Sequence, residues 1–361
     1  MKVLVLADVQ SWHTPRFVNG LRSEGVVVTL ASLQDGKGVD YKFSRSRLGE
    51  FASYVLMPNQ ISELIETNNP DIVSSHFASA YGFSAALARK RYTESHPRWS
   101  LHVWGSDILV SPHRSFLHRR RISYALGGAD LILADSSYLK KKTMELGGCE
   151  VSVCPWGVEK EFVPTPAEIS SKSIWGKGSP VKVILPRPHN KIYRNEIILK
   201  ELSDALRAKK ISLIVSSQGD SRRDFEILSQ KLDVDKRIEY YNPMQRREYL
   251  EMFGGNSIVI SAARSDSSPV TLIEAMALGV APIFADHPGL YDFLNPKDSQ
   301  EFIFDSTSPG DLARKLNHIV DMKSGVRGQL LLKNHQTVLR RGIYEENIRT
   351  TINIWERSLH A

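Results

Sequence analysis

Short apolar runs alternate with longer amphipathic stretches along nearly the whole chain. Runs of about four to eight aliphatic or β-branched residues read as buried strands. Stretches with apolar residues three and four apart read as helices. The pattern predicts strands at 2–7, 26–31, 72–77, 101–104, 131–134 and 151–154, with helices at 14–22, 59–67, 80–91, 116–126 and 138–146 between them. After a break, strands recur at 181–185, 212–216, 238–241, 257–261, 280–285 and 302–304. Helices follow at 196–209, 224–232, 246–253, 271–278, 312–322 and 344–357. Strands alternating with helices form parallel sheets covered on both faces. Residues 159–180 break the pattern with Pro164, Pro166, Gly176, Gly178 and Pro180. The expectation is α/β, with two Rossmann-like parallel-sheet domains facing a central cleft, which is the expected site. The first spans 1–160 and the second 181–343, with a linker at 161–180 and a final helix within 344–361 returning to the first domain.

The stretch 257–285 carries the clearest chemistry. A buried strand runs into a polar loop, a short helix and another strand. Ser268 suits the N-cap and Pro269 the first helical position, while Gly279 supplies the stop. The amides of Val270 and Thr271, with the helix dipole behind them, favour an anion such as a phosphate. Asp266 and Glu274 frame the loop and helix. Ligands of open α/β sheets bind at such strand ends.

Composition narrows the classes. A chain of 361 residues exceeds one ordinary core, and 42% hydrophobic residues exclude a disordered chain. The net charge of +7 fits an anionic partner. Two cysteines, Cys149 and Cys154, are too few for a disulfide scaffold; they read as packed thiols of a cytosolic protein. No Cys/His spacing suits zinc, and Asp233-Val234-Asp235 reads as turn chemistry, so no metal is expected. Asp8 interrupts the first apolar run too early for a signal segment, and no run approaches the roughly 20 residues of a membrane span. Neither half has GxGxxG after its first strand, which argues against a nicotinamide dehydrogenase. Between 89 and 121, eight arginines and lysines oppose two carboxylates, Glu94 and Asp107. With Phe116 and Leu117 interleaved, Arg114, Arg119, Arg120 and Arg121 form either a solvated face or a surface for an anionic membrane or a phosphorylated, lipid-linked acceptor.

The segment SDSSPVTLIEAMALGVAPI resembles the family 4 glycosyltransferases of the GT-B fold, which carry a carboxylate, seven residues, Glu and then Ala-Met-Ala-x-Gly. SWHTPRFVNGLRSEGV, DIVSSHFASAYG, HVWGSDIL, ADLILADSSYLKKKTMELG and CPWGVEKEFVP follow the family's order. The resemblance implies a retaining enzyme of the bacterial polysaccharide or glycolipid type. It would move a hexose from a UDP- or GDP-sugar to a hydroxyl of a glycan or lipid-linked acceptor. It would need no cofactor and no nucleic acid, and would work in the cytoplasm, free or at the inner face of the membrane. Glu274 resembles the ribose-binding Glu, and Asp266 stands where a Glu contacts the transferred sugar. Ser268 belongs to the same donor loop, whose Val270 and Thr271 amides would hold the diphosphate. Arg187 resembles the Arg that neutralises the leaving diphosphate. Tyr193 replaces the Lys that normally follows six residues later; Lys191 is taken as its catalytic substitute, with Arg194 as the alternative. Trp104 takes a usual His position, with His102 nearby. His13 would shape the donor pocket. Asp107 is either a sugar contact or a helix cap, and His76 a cleft residue or a packed one. Two other classes remain open: a nucleotide-sugar epimerase or phosphorylase, and a non-catalytic binding subunit.

Overall fold

Each half of the chain builds its own parallel sheet. In the first, the spatial order is Tyr41–Lys42, Val27–Ser32, Lys2–Leu6, Ile72–His76, Arg98–Val103, Leu131–Ala134 and Val151–Val153. In the second it is Ile238–Tyr241, Ile211–Ser216, Val181–Leu185, Ser257–Ser261, Ala281–Ala285 and Ile303–Phe304. The computed structural model describes residues 1–90, 97–172, 180–294, 296–297 and 299–360. The chain divides into two compact units, Met1–Pro155 with Glu345–Ala361, and Trp156–Tyr344.

Central strands of both sheets are buried at every position, as in Ile72–His76, Ser257–Ser261 and Ala281–Ala285. That explains why their sequences lack the regular apolar–polar alternation of half-buried strands. In each sheet the chain first builds outward in one direction and then crosses back to build in the other. The crossover lies between Lys2–Leu6 and Ile72–His76 in the first sheet, and between Val181–Leu185 and Ser257–Ser261 in the second. Loops leaving the carboxyl ends of those strands diverge, which makes room for a ligand.

The last helix, Tyr344–Leu359, belongs almost wholly to the N-terminal unit. Trp355 is fully buried there, edge-on to Phe17 (6.2 Å between ring centres) and His102 (5.9 Å). Arg349 Nε bonds Glu24 at 3.0 Å in the same unit.

The structure departs from the sequence pattern in several places, of which four matter most. Helices Glu50–Leu56 and Ser324–Arg341 and the two-residue strand Tyr41–Lys42 were not in the pattern. The expected linker is a built part of the C-terminal unit over much of its length. It holds the helix Pro166–Lys172, whose Ile169 is fully buried. Ile169 lies so close to Gly279 that a Cβ there would be 2.8 Å from its Cγ2, and Gly279 has a left-handed φ of 68°. The glycine thus serves both helix termination and linker docking. Residues 173–179 of the expected linker lie outside the described residues.

Trp355→Ala removes a large, fully buried ring and should destabilise the N-terminal unit by about 3–5 kcal/mol. A fall in the urea midpoint is the expected readout; an unchanged midpoint would show that the helix is not part of that core.

Candidate functional site

The C-terminal sheet concentrates charge at its crossover. Arg187 leaves the carboxyl end of Val181–Leu185, and Asp266 follows Ser257–Ser261. Their side chains form an ion pair, Arg187 Nη2 to Asp266 Oδ2, each about one-fifth exposed. One backbone bond and one side-chain bond fasten the two loops: Arg264 N–H donates to Ile192 O (2.9 Å), and the Arg194 side chain donates through Nε to Ala262 O (2.7 Å). Gly289 allows a third segment to close on the same place, since a Cβ there would be 2.2 Å from Asp266 O. The Arg187 guanidinium lies over the Tyr193 ring at 5.2 Å. Burial opposes the charge on Arg187, but Asp266, with Tyr193, Tyr249 and Glu274, outweighs it and raises the pKa.

The helix beside this pair is Val270–Ala277, with Pro269 at its N-cap (ψ 107°) and no side chain capping it. The expected cap at Ser268 is therefore not made. Pro269 is itself extended, so it takes the cap position and moves Ser268 one residue out of register. Leu272 and Ile273 N–H both go to Pro269 O, leaving the Val270 and Thr271 amides with no intrahelical acceptor. Among the described residues, Arg187 Nε, Ser268 Oγ, Thr271 Oγ1, Glu274 Oε2 and His287 Nδ1 are buried without a hydrogen-bond partner. Buried polar atoms are normally paired, so five around one helix start mark a place built to meet a polar ligand. Burial lowers the pKa of His287, and the charges of Arg187 and Arg194 act the same way against Asp266 and Asp286, so the ring is neutral.

Glu274 is almost wholly buried and pairs through Oε1 with Arg246 Nη1. Arg246 also bonds Glu159 Oε2 through Nη2 (2.9 Å) and Nε (3.2 Å). Burial opposes its charge, yet Glu274 and Glu159 together hold its pKa above the ordinary guanidinium value. One arginine thus orients the acid and leaves Oε2 as the acceptor. Sequence reasoning missed Arg246 and His287. Lys191 lies exposed in the 187–194 turn, while Arg194 gives its Nη2 to Ser306 Oγ (3.0 Å) as well as its Nε to Ala262.

In the N-terminal unit, His13, His76, His102 and Trp104 gather near the crossover. His76 stacks on His102 and on Trp104, both at 4.8 Å, and His13 meets Trp104 edge-on at 5.4 Å. His76 and His102 are buried and neutral: burial pushes His102 down to about 3 and His76 well below its usual value. Asp107, open between a sugar contact and a cap, is entirely buried. It accepts N–H bonds from Ala78 (2.8 Å), Gly105 (3.0 Å) and Trp104 (3.1 Å). Its structural work is specific. It pins Ala78 behind Phe77, whose φ of 65° is rare for an aromatic residue, and Phe77 lies 5.0 Å from Trp104.

Arg114, Arg119 and Arg120 are exposed; Arg121 is half-buried over the rings of Phe51 (4.9 Å) and Phe83 (5.8 Å). Arg91 and Glu94 lie outside the described residues. Asp233 sits in a left-handed turn, and no group of three metal-ligating side chains occurs among the described residues. Cys149, expected to be packed, is exposed, because Gly147 and Gly148 carry it out of the helix before it. Burial raises the Cys154 thiol to about 11.

Residues 2–136 match the family described as "Glycosyl transferase 4-like", and residues 194–330 match "Glycosyl transferases group 1". The second match includes Arg246, Asp266 and Glu274; Arg187 and Lys191 precede it. The chain is 26% identical over 241 residues to the putative teichuronic acid biosynthesis glycosyltransferase TuaC of Bacillus subtilis, covering 64% of this chain and 59% of that relative. Its fold is similar to sucrose-phosphate synthase from Thermosynechococcus elongatus, with a TM-score of 0.81, 12% identity and coverage of 100% and 99% of the two chains. It is also similar to Anabaena Alr3699/HepE in complex with UDP-glucose, with a TM-score of 0.78, 14% identity and coverage of 98% and 99%.

Arg246→Ala leaves a buried carboxylate unpaired and should cost about 3–5 kcal/mol in the C-terminal unit. Adding Glu274→Gln should recover part of it in a urea-melt cycle; strict additivity would show that the two side chains do not interact. In the N-terminal unit, the unfolded chain binds a proton on His102 between about pH 6.5 and pH 3 that the folded chain does not. Its share of stability is full above pH 6.5 and falls by about 1.4 kcal/mol per pH unit on acidification. The gap between the urea midpoints at pH 7 and pH 5 should narrow in His102→Gln, the buried His76 keeping its own share of the pH dependence; an equal drop in both proteins would contradict this.

Proposed function

The chain belongs to the GT-B glycosyltransferases, and from that premise we propose that it moves a hexose from a nucleoside diphosphate sugar to a hydroxyl of a glycan or lipid-linked acceptor, with the anomeric configuration retained. The observation that carries this reading is the Arg187–Asp266 pair beside the uncapped helix start. Each partner has a second use. The diphosphate takes Arg187, together with the Val270 and Thr271 amides. A hydroxyl of the sugar takes Asp266. In the free protein the two charges satisfy each other, so the pair is a placeholder for the donor.

Glu274 Oε2 accepts the ribose hydroxyls, with Arg246 fixing its other oxygen. As the bond from sugar carbon to phosphate oxygen breaks, negative charge grows on the departing diphosphate. Arg187 and the helix amides meet it there, with no metal assigned to the step. The acceptor hydroxyl oxygen bonds to the same carbon and its proton passes to a departing phosphate oxygen. Attack on the face that the diphosphate leaves gives retention. Lys191 is the free cation of the 187–194 turn and is assigned to the phosphates, Arg194 being engaged elsewhere. His13 and Trp104 form a wall of the N-terminal unit that we assign to the sugars, and the neutral His76, fully buried, packs behind Trp104.

UDP is the favoured nucleotide, because the similar Anabaena structure is a complex with UDP-glucose. A surface glycan is the favoured product, because TuaC is named for teichuronic acid biosynthesis. We place the enzyme in the cytoplasm, at the inner face of the membrane; no helix among the described residues is long and apolar enough to cross one.

UDP-sugars should raise the melting temperature, since a ligand of the folded state stabilises by mass action. Arg187→Ala should lower kcat by about a hundredfold or more, and Glu274→Ala should weaken UDP binding. Full turnover in Arg187→Ala would overturn the leaving-group role. Nucleotide release that needs no acceptor would point to an epimerase or hydrolase instead.

A further inference from the structure

The largest apolar side chains left uncovered lie mostly together, on the N-terminal unit and outside the cluster just described. Helix Glu50–Leu56 buries only Ser53 and turns Phe51 (56% exposed) and Leu56 (58%) outward, with Leu48 (89%) just before it. Helix Phe116–Gly128 opens on Phe116 (72%) and Leu117 (75%). Between the two helices runs a groove of about 630 Å³, with Phe51, Tyr54, Phe83 and Leu117 as its apolar walls and Arg114 and Arg121 at its polar side. Such a volume is that of a small-ligand site. Glu50, the one carboxylate among the described lining residues, is engaged by the Tyr54 hydroxyl at 3.0 Å.

Charge distinguishes this face from an ordinary apolar patch. No carboxylate occurs from residue 108 to residue 129, while Arg114, Arg119, Arg120 and Arg121 all do. Arg121 lies over Phe51 and Phe83 with its Nε buried and without a hydrogen-bond partner. Its fork stays at the groove, packed by two rings and bonded to no carboxylate among the described residues. The occupant must therefore offer an anion and an aliphatic segment side by side. A second copy of this face would bring the same positive charge against itself. A nucleic acid offers phosphate without aliphatic chain. An anionic phospholipid offers both in one molecule.

We propose that helices Glu50–Leu56 and Phe116–Gly128 form a docking face for the anionic lipid surface of a membrane, with Phe116, Leu117 and Phe51 entering the headgroup layer, a lipid chain segment in the groove, and the arginines on the phosphates. This rests on the membrane placement proposed above and names the surface responsible, but it involves the N-terminal unit alone.

The test is co-sedimentation of the whole protein with vesicles of phosphatidylcholine, alone or mixed with phosphatidylglycerol. Binding to the anionic vesicles should be at least about tenfold tighter, and should weaken with salt. Arg119→Gln/Arg120→Gln should remove the preference for anionic vesicles. Phe116→Ser/Leu117→Ser changes two solvent-exposed side chains, so the fold is kept, and it should weaken binding to both kinds of vesicle. Equal partition of the wild type into neutral and anionic vesicles, or wild-type binding by both variants, would overturn the proposal. So would a dimer, seen by sedimentation without vesicles, that either variant abolishes. The melting shift with UDP-glucose, read without vesicles, reports on the donor site separately: its absence would sink the donor reading and leave vesicle binding as it is, and the reverse holds too.

Discussion

The ion pair between Arg187 and Asp266 ties together the two loops at the crossover of the C-terminal sheet. Everything proposed for the donor depends on it. A parallel sheet that reverses its winding direction leaves two loops pointing apart, and loops alone do not hold a charged ligand to within fractions of an ångström. Here a backbone bond from Arg264 to Ile192 and a side-chain bond from Arg194 to the Ala262 carbonyl close the loops, and Gly289 lets a third segment rest on Asp266. With the guanidinium one-fifth exposed, its attraction to a carboxylate or a phosphate is stronger than at an open surface. The proposed function requires the pair to be a stable resting state that is also exchangeable.

A second arginine works differently. Arg246 joins Glu274 and Glu159, residues far apart in the chain, and fixes the carboxylate assigned to ribose. In the N-terminal unit the corresponding devices are not ion pairs. Asp107 spends its carboxylate on three backbone amides, and the histidines beside it are held neutral by burial. That unit presents aromatic surface at its crossover and keeps its cations for the opposite kind of surface, around Arg114 to Arg121.

The sheets were legible because short segments rich in aliphatic and aromatic residues recur between helical patterns; Val181–Leu185, Ile238–Tyr241 and Ser257–Ser261 fall where the pattern put them. Asp266, Ser268 and Glu274 were legible because they lie on one loop and one short helix. What failed to show has physical reasons. Helix Ser324–Arg341 buries Asn334, His335 and Arg327 alongside Leu331 and Val338, so its inner face is not an apolar stripe. Helix Glu50–Leu56 has the inverse fault, with its apolar residues outside. Arg246 looks like any of the 47 lysines and arginines until folding brings Glu159 to it across 87 positions. The cap assigned to Ser268 failed by one residue because Pro269 is itself extended.

Whether the Arg187–Asp266 pair is a placeholder or a strut can be decided by titrating UDP, without any sugar, into Asp266→Asn and Arg187→Ala. Asn keeps the shape of the loop and removes the competing charge. If the pair is a placeholder, UDP binds Asp266→Asn at least as tightly as the wild type, while Arg187→Ala loses about tenfold or more. If UDP affinity falls as far in Asp266→Asn as in Arg187→Ala, the carboxylate is holding the arginine in place rather than competing for it, and the donor site does not work as described.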